Sequence, residues 1–449
     1  MRTAWQKYLE LNVPRYTSYP SALQFTDDVG AREHADALAA IGKDEPISFY
    51  LHIPFCRQLC YYCGCNMRVE NNDQRIRSYV DDLIDEMAIV GGHLNGRGAL
   101  TQIHFGGGTP NILSAADVER LLAAMKEAFG LKKRTPIAME IDPRLTNEFQ
   151  IAKLTRLGVS RFSIGVQDVD PKVQAAINRV QPLSMVEACM RDLRRAGVSD
   201  ISLDVLYGLP YQALCTFRKT INKVIGLGPD RISLFGYAHM PSKLSHQRLI
   251  PEEAMPSRPM RHVLAEDAAL QLENAGYERI GFDHFARPDA AIARAAKAQA
   301  LNRNFQGFTE DEASVVIGLG TSAISSVHGL IAQNEKSIPA YRDRIARGQL
   351  PTSKGVVASV RDQDIGEWLK RLLCDMRGSL NAYLDAIGGS KADHDQVMER
   401  LLPFIADDIV AIEGDDVVIH PDARPLARVV AAAFDPYASG QATFVSPAV

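Results

Sequence analysis

Short apolar segments alternate with helical patterns from residue 47 to residue 239, and this alternation restricts the possible fold more than any other feature. Each segment is rich in β-branched or aromatic residues, as strands are. The six predicted strands span residues 47–53, 100–105, 136–142, 161–167, 201–207 and 231–239. Strands that are separated by helices at such intervals form parallel sheets. We therefore expect an α/β fold with a full or partial barrel of βα units.

Unusual polar residues cluster where these predicted strands end. Four cysteines follow the first strand, and the segment GGGTP follows the second. Glu140 and Asp142 lie at the end of the third strand, and Gln167 and Asp168 follow the fourth. In βα barrels the chemistry takes place at the carboxyl ends of the strands. The sequence thus predicts one site that combines these residues.

Composition and charge exclude some classes of function. The net charge of −4 gives no basic footprint for nucleic acid. The N-terminal residues have no apolar core of signal-peptide length, and no run of 18 apolar residues predicts a membrane span. We expect a cytoplasmic protein, in which clustered cysteines are metal ligands or catalysts rather than disulfides. Cys189, Cys215 and Cys374 lie singly in apolar or helical patterns and are expected to be buried.

The segment CRQLCYYCGC, residues 56–65, holds four of the seven cysteines of the chain. Cys56, Cys60 and Cys63 have the spacing C-x3-C-x2-C, which leaves three alternatives besides an iron–sulfur cluster. A helix that buries the three cysteines on one face is disfavoured by Pro54 before the segment and Gly64 within it. A zinc site usually needs a second pair of Cys or His ligands, and none is evident. A disulfide is disfavoured in a reducing compartment. An iron–sulfur cluster fits best. Three ligands leave one iron of a four-iron cluster open, although Cys65 could supply a fourth thiolate.

The alternation fades after about residue 330. Residues 351–376 are predicted to be a short loop that enters a helix, and residues 407–434 a hairpin around EGDD followed by a helix. We expect three parts: an N-terminal arm (1–45), a barrel domain with an extension (46–330), and a mainly helical, winged-helix-like α+β domain (331–449).

Several long segments resemble one protein family. The cysteine loop in FYLHIPFCRQLCYYCGC resembles that of the radical S-adenosylmethionine (SAM) superfamily, and more closely its oxygen-independent coproporphyrinogen III oxidase family. Further similar segments, in family order, are PRYTSYP, HFGGGTP, EIDP, GVQD, LDVLYGLP, YAHMP, FDHFARPD and RNFQGFT. The segment 372–380 departs from the family pattern. The resemblance implies a partial (β/α)6 radical-SAM barrel with an N-terminal arm and a small C-terminal domain.

The resemblance also implies a reaction and its cofactors. A [4Fe–4S] cluster would bind Cys56, Cys60 and Cys63, and a first SAM would bind near the glycine segment. Reductive cleavage of SAM gives a radical that abstracts hydrogen from a propionate of coproporphyrinogen III. Loss of CO2 and an electron, twice, yields protoporphyrinogen IX in haem biosynthesis. The implied contacts of the first SAM are Tyr50, Gly107, Gly108, Thr109 and Glu140.

The family can bind a second SAM, and the matching positions are Tyr62, Gln167, Arg179, Asp204, Ala238 and Ile324. Cys65 and Tyr50 match catalytic positions. Taken alone, Glu140 would be a solvated acid and Arg179 a surface residue, whereas His52 could support the cluster or simply belong to the strand. Arg15 in PRYTSYP could pair with a propionate, or the arm could merely pack through its aromatic residues.

The resemblance leaves two other functions open: a haem-binding chaperone and a radical methyltransferase that opens the haem ring. Cys65 and the arm segment PRYTSYP favour the oxidase over both. We expect a monomer that acts on coproporphyrinogen III and exchanges electrons with an unidentified donor and acceptor.

Overall fold

The structure, a computed structural model, describes residues 3–9 and 11–438. Its first part holds helices α1 (Gln6–Leu9), α2 (Ala31–Ala40), α3 (Asp73–Leu94) and α4 (Ala115–Phe129), and strands β1 (Pro46–Ile53), β2 (Phe55–Cys56), β3 (Arg68–Val69) and β4 (Ala99–Gly107). The middle part holds β5 (Ile137–Ile141), α5 (Glu148–Arg156), β6 (Val159–Gln167), α6 (Pro171–Ala176), α7 (Leu183–Arg195), β7 (Asp200–Tyr207), α8 (Leu214–Leu227), β8 (Arg231–Gly236) and α9 (Arg258–Asn274).

An extension follows, with β9 (Glu278–Ile280), β10 (His284–Ala286), α10 (Ala291–Lys297), β11 (Asn302–Asn304), β12 (Gly307–Thr309), β13 (Val315–Leu319), β14 (Ile324–Val327), β15 (Leu330–Asn334), α11 (Ile338–Ala346) and β16 (Thr352–Val357). The last part holds α12 (Val360–Asp375), β17 (Arg377–Ser379), α13 (Leu380–Ile387), α14 (Lys391–Ala406), β18 (Val410–Glu413), β19 (Asp416–Ile419) and α15 (Ala427–Ala432). Short 3-10 turns lie at Thr3–Trp5, Ala22–Gln24, Pro110–Ile112, Pro143–Leu145, Ser245–Leu249, Glu252–Ala254 and Pro421–Leu426.

All six predicted strands are confirmed, and they lie side by side in chain order as β1, β4, β5, β6, β7 and β8. Every neighbouring pair among them is parallel. Helices cover their outer face, as in α4, where the side chain of Ser114 accepts a hydrogen bond from the Asp117 N–H at 3.1 Å. Val118, Leu121 and Met125 of α4 are buried and pack this helix against the core. This row of strands forms the partial barrel of an α/β fold.

The sheet is larger than the six predicted strands. It has twelve strands in the order β16-β15-β14-β13-β1-β4-β5-β6-β7-β8-β10-β9, and it is open. Strand β13 is parallel to β1, whereas β14, β15 and β16 add to it in antiparallel fashion. The prediction of a loop over the first residues of 351–376 is wrong, because Thr352–Val357 forms the edge strand β16. Its central residues, Ser353, Lys354 and Gly355, lack the apolar alternation of a strand.

The C-terminal region is a small α+β unit. Its hairpin, β18 and β19, is confirmed around the predicted EGDD turn, and β17 extends it to three strands. The division of the chain at residue 330 remains a proposal, because the large sheet itself continues to β16.

The N-terminal arm packs against this C-terminal region. The hydroxyl groups of Tyr16 and Tyr19 donate to the two carboxylate oxygens of Asp435, at 3.0 and 3.2 Å. Thr26 also forms a bridge with Gly355 of β16, so the arm contacts the sheet as well. The arm therefore joins distant parts of the chain.

The three isolated cysteines do not all behave as predicted. Cys189 and Cys374 are buried, as expected, but Cys215 is exposed. Helix α8 buries Phe217, Ile221 and Val224 along one face. Cys215 lies two residues before Phe217 and so points to the opposite face of the helix. Over the described residues, every helix is too short or too polar to cross a membrane.

Candidate active site

A cavity of about 740 Å³ opens at the carboxyl ends of the parallel strands. Its volume lies in the range of pockets that enclose small organic ligands. The predicted site residues that line this cavity are Cys56, Cys60, Tyr62, Cys63, Cys65, Gly107, Gly108, Thr109, Glu140, Gln167, Arg179, Asp204 and Ala238. Residues of the arm line it too, among them Arg15 and Tyr16. The fold thus brings together residues that the sequence places more than 200 positions apart.

Two predicted site residues, Tyr50 and Ile324, do not line the cavity. Tyr50 lies on β1, and a Cβ atom on Gly106 would come within 2.8 Å of the side chains of both Tyr50 and Glu140. Ile324 begins β14, where its backbone packs against Gly318, the partner of Tyr50 in the sheet. The hydroxyl of Tyr50 lies 3.1 Å from Nδ1 of His52, whereas Oε1 of Glu140 lies 3.1 Å from Nε2 of His104. The roles of Tyr50 and Ile324 in SAM binding stay predictions.

The cysteine loop is held by hydrogen bonds to its backbone. The Tyr61 N–H donates to the carbonyl of Ile177 at 2.9 Å, and the Asn178 side chain donates to the carbonyl of Leu59 at 2.8 Å. The Cys63 N–H donates to the carbonyl of Cys60 at 3.1 Å. The loop forms no helix, so the alternative of a helical core stripe is wrong.

His52 and His246 support this loop from two sides. Nε2 of His52 lies 2.9 Å from the carbonyl oxygen of Asn66, directly after the last cysteine. Burial lowers the pKa of His52 and so favours the neutral ring. Nε2 of His246 lies 2.7 Å from the carbonyl oxygen of Cys63. His52 thus contacts the loop as well as belonging to β1, and His246 was not predicted as a site residue.

The three spaced cysteines fit a four-iron cluster better than a single ion. Within residues 3–9 and 11–438, no group of three His, Cys, Asp or Glu side chains lies close enough to hold one metal ion. A four-iron cluster does not need such closeness, because each thiolate binds a different iron. Cys56, Cys60 and Cys63 all face the same cavity, and Cys65 is exposed to it beside them.

Positive charge surrounds Cys60. Nη2 of Arg144 lies 3.6 Å from its sulfur, and Nη1 of Arg179 lies 3.7 Å from it. Both arginines also bind the buried carboxylate of Asp142, at 2.6 and 3.1 Å. Burial raises the pKa of Asp142, but the charges of Arg179 and Arg144 outweigh this effect and lower it. Such donors stabilise the thiolate that iron requires.

Arg179 is buried, so its interpretation as a surface residue is wrong. Its Nη2 donates to the carbonyl of Gly165 at 2.7 Å and so links β6 to the cysteine loop. Arg144 was not predicted as a site residue, although its place directly after EIDP could have indicated it.

The glycine segment after β4 packs tightly against the cysteine loop. A Cβ atom on Gly107 would lie 2.8 Å from the ring of His52, and one on Gly108 would lie 2.8 Å from the carbonyl oxygen of Phe55. Gly107 also has a φ of 116°, which side chains disfavour. Oγ1 of Thr109 lies 3.1 Å from the sulfur of Cys56. The glycines therefore allow this segment to pack closely against the cysteine loop, in addition to any contact with a ligand.

Acidic and amide groups line the middle of the cavity. Asp204 on β7 accepts a hydrogen bond from the hydroxyl of Ser163 at 3.0 Å. Burial, with a smaller contribution from Glu140, raises the pKa of Asp204 to about 6. Gln167 ends β6 with a φ of 65°, an uncommon conformation for a side-chain residue. Carboxyl groups with shifted pKa values and residues with uncommon backbone dihedral angles are concentrated at functional sites.

Gln247 connects two predicted site positions, Tyr62 and Ala238. Its side-chain nitrogen donates to the carbonyl groups of Tyr62 and Ala238, each at 3.2 Å. The loop after β8 therefore contacts the cysteine loop directly. Gln247 is fully buried, which sets its position.

Comparison with known proteins agrees with this geometry. The sequence model of the Radical SAM superfamily matches residues 50–224. The oxygen-independent coproporphyrinogen III oxidase of Bradyrhizobium diazoefficiens is 40% identical over 428 residues, which are 95% of each chain. The protein of the same name from Pseudomonas aeruginosa is 35% identical and covers 95% of this chain and 94% of its own.

A solved structure extends the similarity to the whole fold. Coproporphyrinogen III oxidase from Escherichia coli, described as a radical SAM enzyme, superimposes with a TM-score of 0.89 and 33% identity. The match covers 95% of this chain and all of that one. The chain is therefore a member of the oxygen-independent coproporphyrinogen III oxidase family, within the radical SAM superfamily.

Proposed function

We propose that the protein converts two propionate side chains of coproporphyrinogen III to vinyl groups by oxidative decarboxylation, which yields protoporphyrinogen IX. The observation that carries this proposal is the meeting of the cysteine loop, the glycine segment and Glu140 in one cavity of about 740 Å³. Family membership, with 40% identity over 95% of the chain, supports the same reaction. A [4Fe–4S] cluster and SAM are the cofactors that this family implies.

In this proposal each part of the cavity has a task. Cys56, Cys60 and Cys63 hold the cluster, and their number leaves one iron open for SAM. Tyr50, Gly107, Gly108, Thr109 and Glu140 bind SAM beside it. When bound, the cluster and SAM together supply the 5′-deoxyadenosyl radical. The cavity walls hold the substrate next to this centre and exclude water from it.

A second SAM site is also proposed. Tyr62, Gln167, Arg179, Asp204 and Ala238 line the same cavity next to the first group, which supports their joint role. Ile324 lies outside the cavity, so its part in this second site has less support.

Further proposals concern the oligomeric state, the cellular location, the electron partners and the role of Cys65. We propose that the protein acts as a monomer in the cytoplasm, with one electron donor and one electron acceptor that are not yet identified. Cys65, exposed to the cavity beside the ligand cysteines, is proposed to take part in catalysis.

Anoxic turnover with coproporphyrinogen III tests the function. The reconstituted protein, with SAM, a reductant and a one-electron acceptor, should form protoporphyrinogen IX, and Cys60→Ala should form none. Tight haem binding without this product would instead indicate the haem-binding chaperone. Conversion of haem to a methylated, ring-opened product would indicate the methyltransferase, and either result would overturn the proposal.

A further inference from the structure

The carboxylate of Glu140 has a partner within the protein as well as a face in the cavity. Its side chain is 41% exposed and lines the cavity, and Oε1 lies 3.1 Å from Nε2 of His104 on β4. The side chain of His104 is only 19% exposed and does not line the cavity. His104 therefore contacts the predicted SAM residue without being placed to contact a ligand itself.

The register of three neighbouring strands sets this contact. His104 pairs with Tyr50 of β1 on one side and with Ala138 of β5 on the other. Side chains two residues apart in a strand lie on the same face, so Glu140 follows Ala138 nearer the carboxyl end. Gly106 follows His104 in the same way, and a Cβ atom there would lie 2.8 Å from Oε1 of Glu140. Because Gly106 has no side chain, the carboxylate has room to reach His104.

The direction of this hydrogen bond follows from its chemistry. An ionised carboxylate can only accept, so Nε2 of His104 carries the proton and donates to Oε1 of Glu140. Among the described residues, no other hydrogen bond involves the Glu140 side chain, which leaves Oε2 as an acceptor for a ligand. The histidine thus holds one oxygen of the carboxylate and leaves the other available.

The ring of Tyr50 holds His104 in its orientation. The two ring centres lie 5.8 Å apart, with an angle of 27° between the ring planes. Nε2 of His52 donates to the carbonyl of Asn66 at 2.9 Å, and burial favours the neutral His52 ring. Nδ1 of His52 therefore accepts a hydrogen bond from the Tyr50 hydroxyl at 3.1 Å. Tyr50 is fixed at its hydroxyl, and a ring fixed in this way can orient the side chain that packs on it.

These contacts form one continuous path between two parts of the candidate site. The path runs from Glu140 through His104, Tyr50 and His52 to Asn66, the residue directly after Cys65. In the proposed function SAM has to meet both the cluster and Glu140. A fixed path between the cysteine loop and the carboxylate keeps these two partners of SAM at a constant separation.

We propose that His104 is a positioning residue for SAM, which holds Glu140 so that its second carboxylate oxygen meets a hydroxyl or ammonium group of the cofactor. This inference rests on the proposed function, in which Glu140 binds SAM. An unrestrained glutamate loses rotamer freedom when it binds a ligand, and this loss weakens affinity. His104 restricts the side chain beforehand, so it strengthens SAM binding without touching SAM.

SAM binding to the reconstituted protein without reductant measures this effect in the absence of turnover. Equilibrium dialysis with radiolabelled SAM gives the affinity of each variant. His104→Phe keeps a ring against Tyr50 but loses the N–H donor, and we expect it to bind SAM about 3-fold to 10-fold more weakly. His104→Gln keeps an N–H donor at a similar reach and should restore most of the affinity.

A double-variant cycle shows whether His104 acts through Glu140. Glu140→Ala should weaken SAM binding by itself, and addition of His104→Phe should then cause little further loss. The matched control is His394→Phe, because Nδ1 of His394 lies 3.3 Å from the carboxylate of Asp395 outside the cavity. This control should bind SAM like the unaltered protein.

The iron content and the melting temperature of each variant show whether it keeps the cluster and the fold. His104→Leu also removes the N–H donor, and it provides the same comparison if His104→Phe does not fold.

Several results would overturn this inference. Unchanged SAM affinity in a folded variant without the N–H donor would mean that Glu140 needs no partner. Equal losses in His104→Phe and His104→Gln would mean that the shape of the ring matters rather than its donor. Additive losses in the double variant would mean that His104 acts independently of Glu140. The proposed function is tested separately, because formation of protoporphyrinogen IX by the unaltered protein depends on none of these comparisons.

Discussion

Nη1 of Arg179 lies 3.7 Å from the sulfur of Cys60. In the proposed cluster site this donor stabilises negative charge on the thiolate, and more so after reduction. Arg179→Met should therefore shift the reduction potential of the reconstituted cluster to more negative values, by roughly tens of millivolts. A potentiometric titration followed by electron paramagnetic resonance measures the shift. Arg191→Met, which removes a surface arginine, serves as the control, and an unchanged potential in Arg179→Met would contradict the assignment.

Removal of single thiols should separate ligands from the neighbouring cysteine. We expect Cys56→Ser, Cys60→Ser and Cys63→Ser each to lose the cluster, because a three-cysteine site has no spare ligand. Cys65→Ser should keep the iron and sulfide content but lose turnover. Cys215→Ser, at an exposed position outside the cavity, should behave like the unaltered protein. Loss of iron from Cys65→Ser would make Cys65 a ligand and refute the open iron.

Gly108→Ala should disturb the cysteine loop. Its new Cβ atom would lie 2.8 Å from the Phe55 carbonyl oxygen and 3.1 Å from the sulfur of Cys56, so the loop must move. We expect a loss of about 1–3 kcal/mol in the free energy of unfolding, together with weaker cluster retention. Gly226→Ala in α8 meets nothing within 4 Å and should not destabilise the protein. Equal unfolding curves for both variants would contradict the tight packing described above.

Asp204 should make stability depend on pH. Burial raises its pKa from 3.8 to about 6, so the folded protein binds a proton that the unfolded chain has already released between these values. Stability from this group is therefore complete below pH 3.8 and falls as pH rises through 6, by up to about 3 kcal/mol.

Asp204→Asn removes this titration. We expect it to melt at a higher temperature than the unaltered protein at pH 8 and at a similar temperature at pH 4. Asp73→Asn, an exposed control on α3, should not show this pattern. A lower melting temperature of Asp204→Asn at pH 8 would show that the carboxylate is stabilised rather than strained in its site.

The central strands were predictable because strands of a parallel sheet with both faces covered form short apolar segments. The segments that became β1 and β4 to β8 have this character. Strands β13 to β16 did not show it to the same degree, since β14 is the short segment ISSV and β16 contains Ser353, Lys354 and Gly355. Their place beside β1 depends on pairing between distant residues, which a local pattern does not contain.

The residues of the candidate site could also be predicted only in part. Cys56, Cys60 and Cys63 were recognisable because their ligand spacing is local. Arg144 contacts Cys60, and Arg303 and Arg428 both lie against the ring of Phe282. These contacts join residues that are far apart in the sequence, so no local pattern indicates them. An arginine in a sequence indicates a positive charge but not the groups that will surround it.

The contacts of Tyr16 and Tyr19 with Asp435 have a consequence for how the protein is made in the cell. The residues that complete the cavity wall come from the arm and from α15. A nascent chain on the ribosome can form the parallel strands early, but it lacks Arg428 and Asp435 until more than 200 residues have been added after Gly165. The complete cavity wall therefore exists only after translation has passed Asp435.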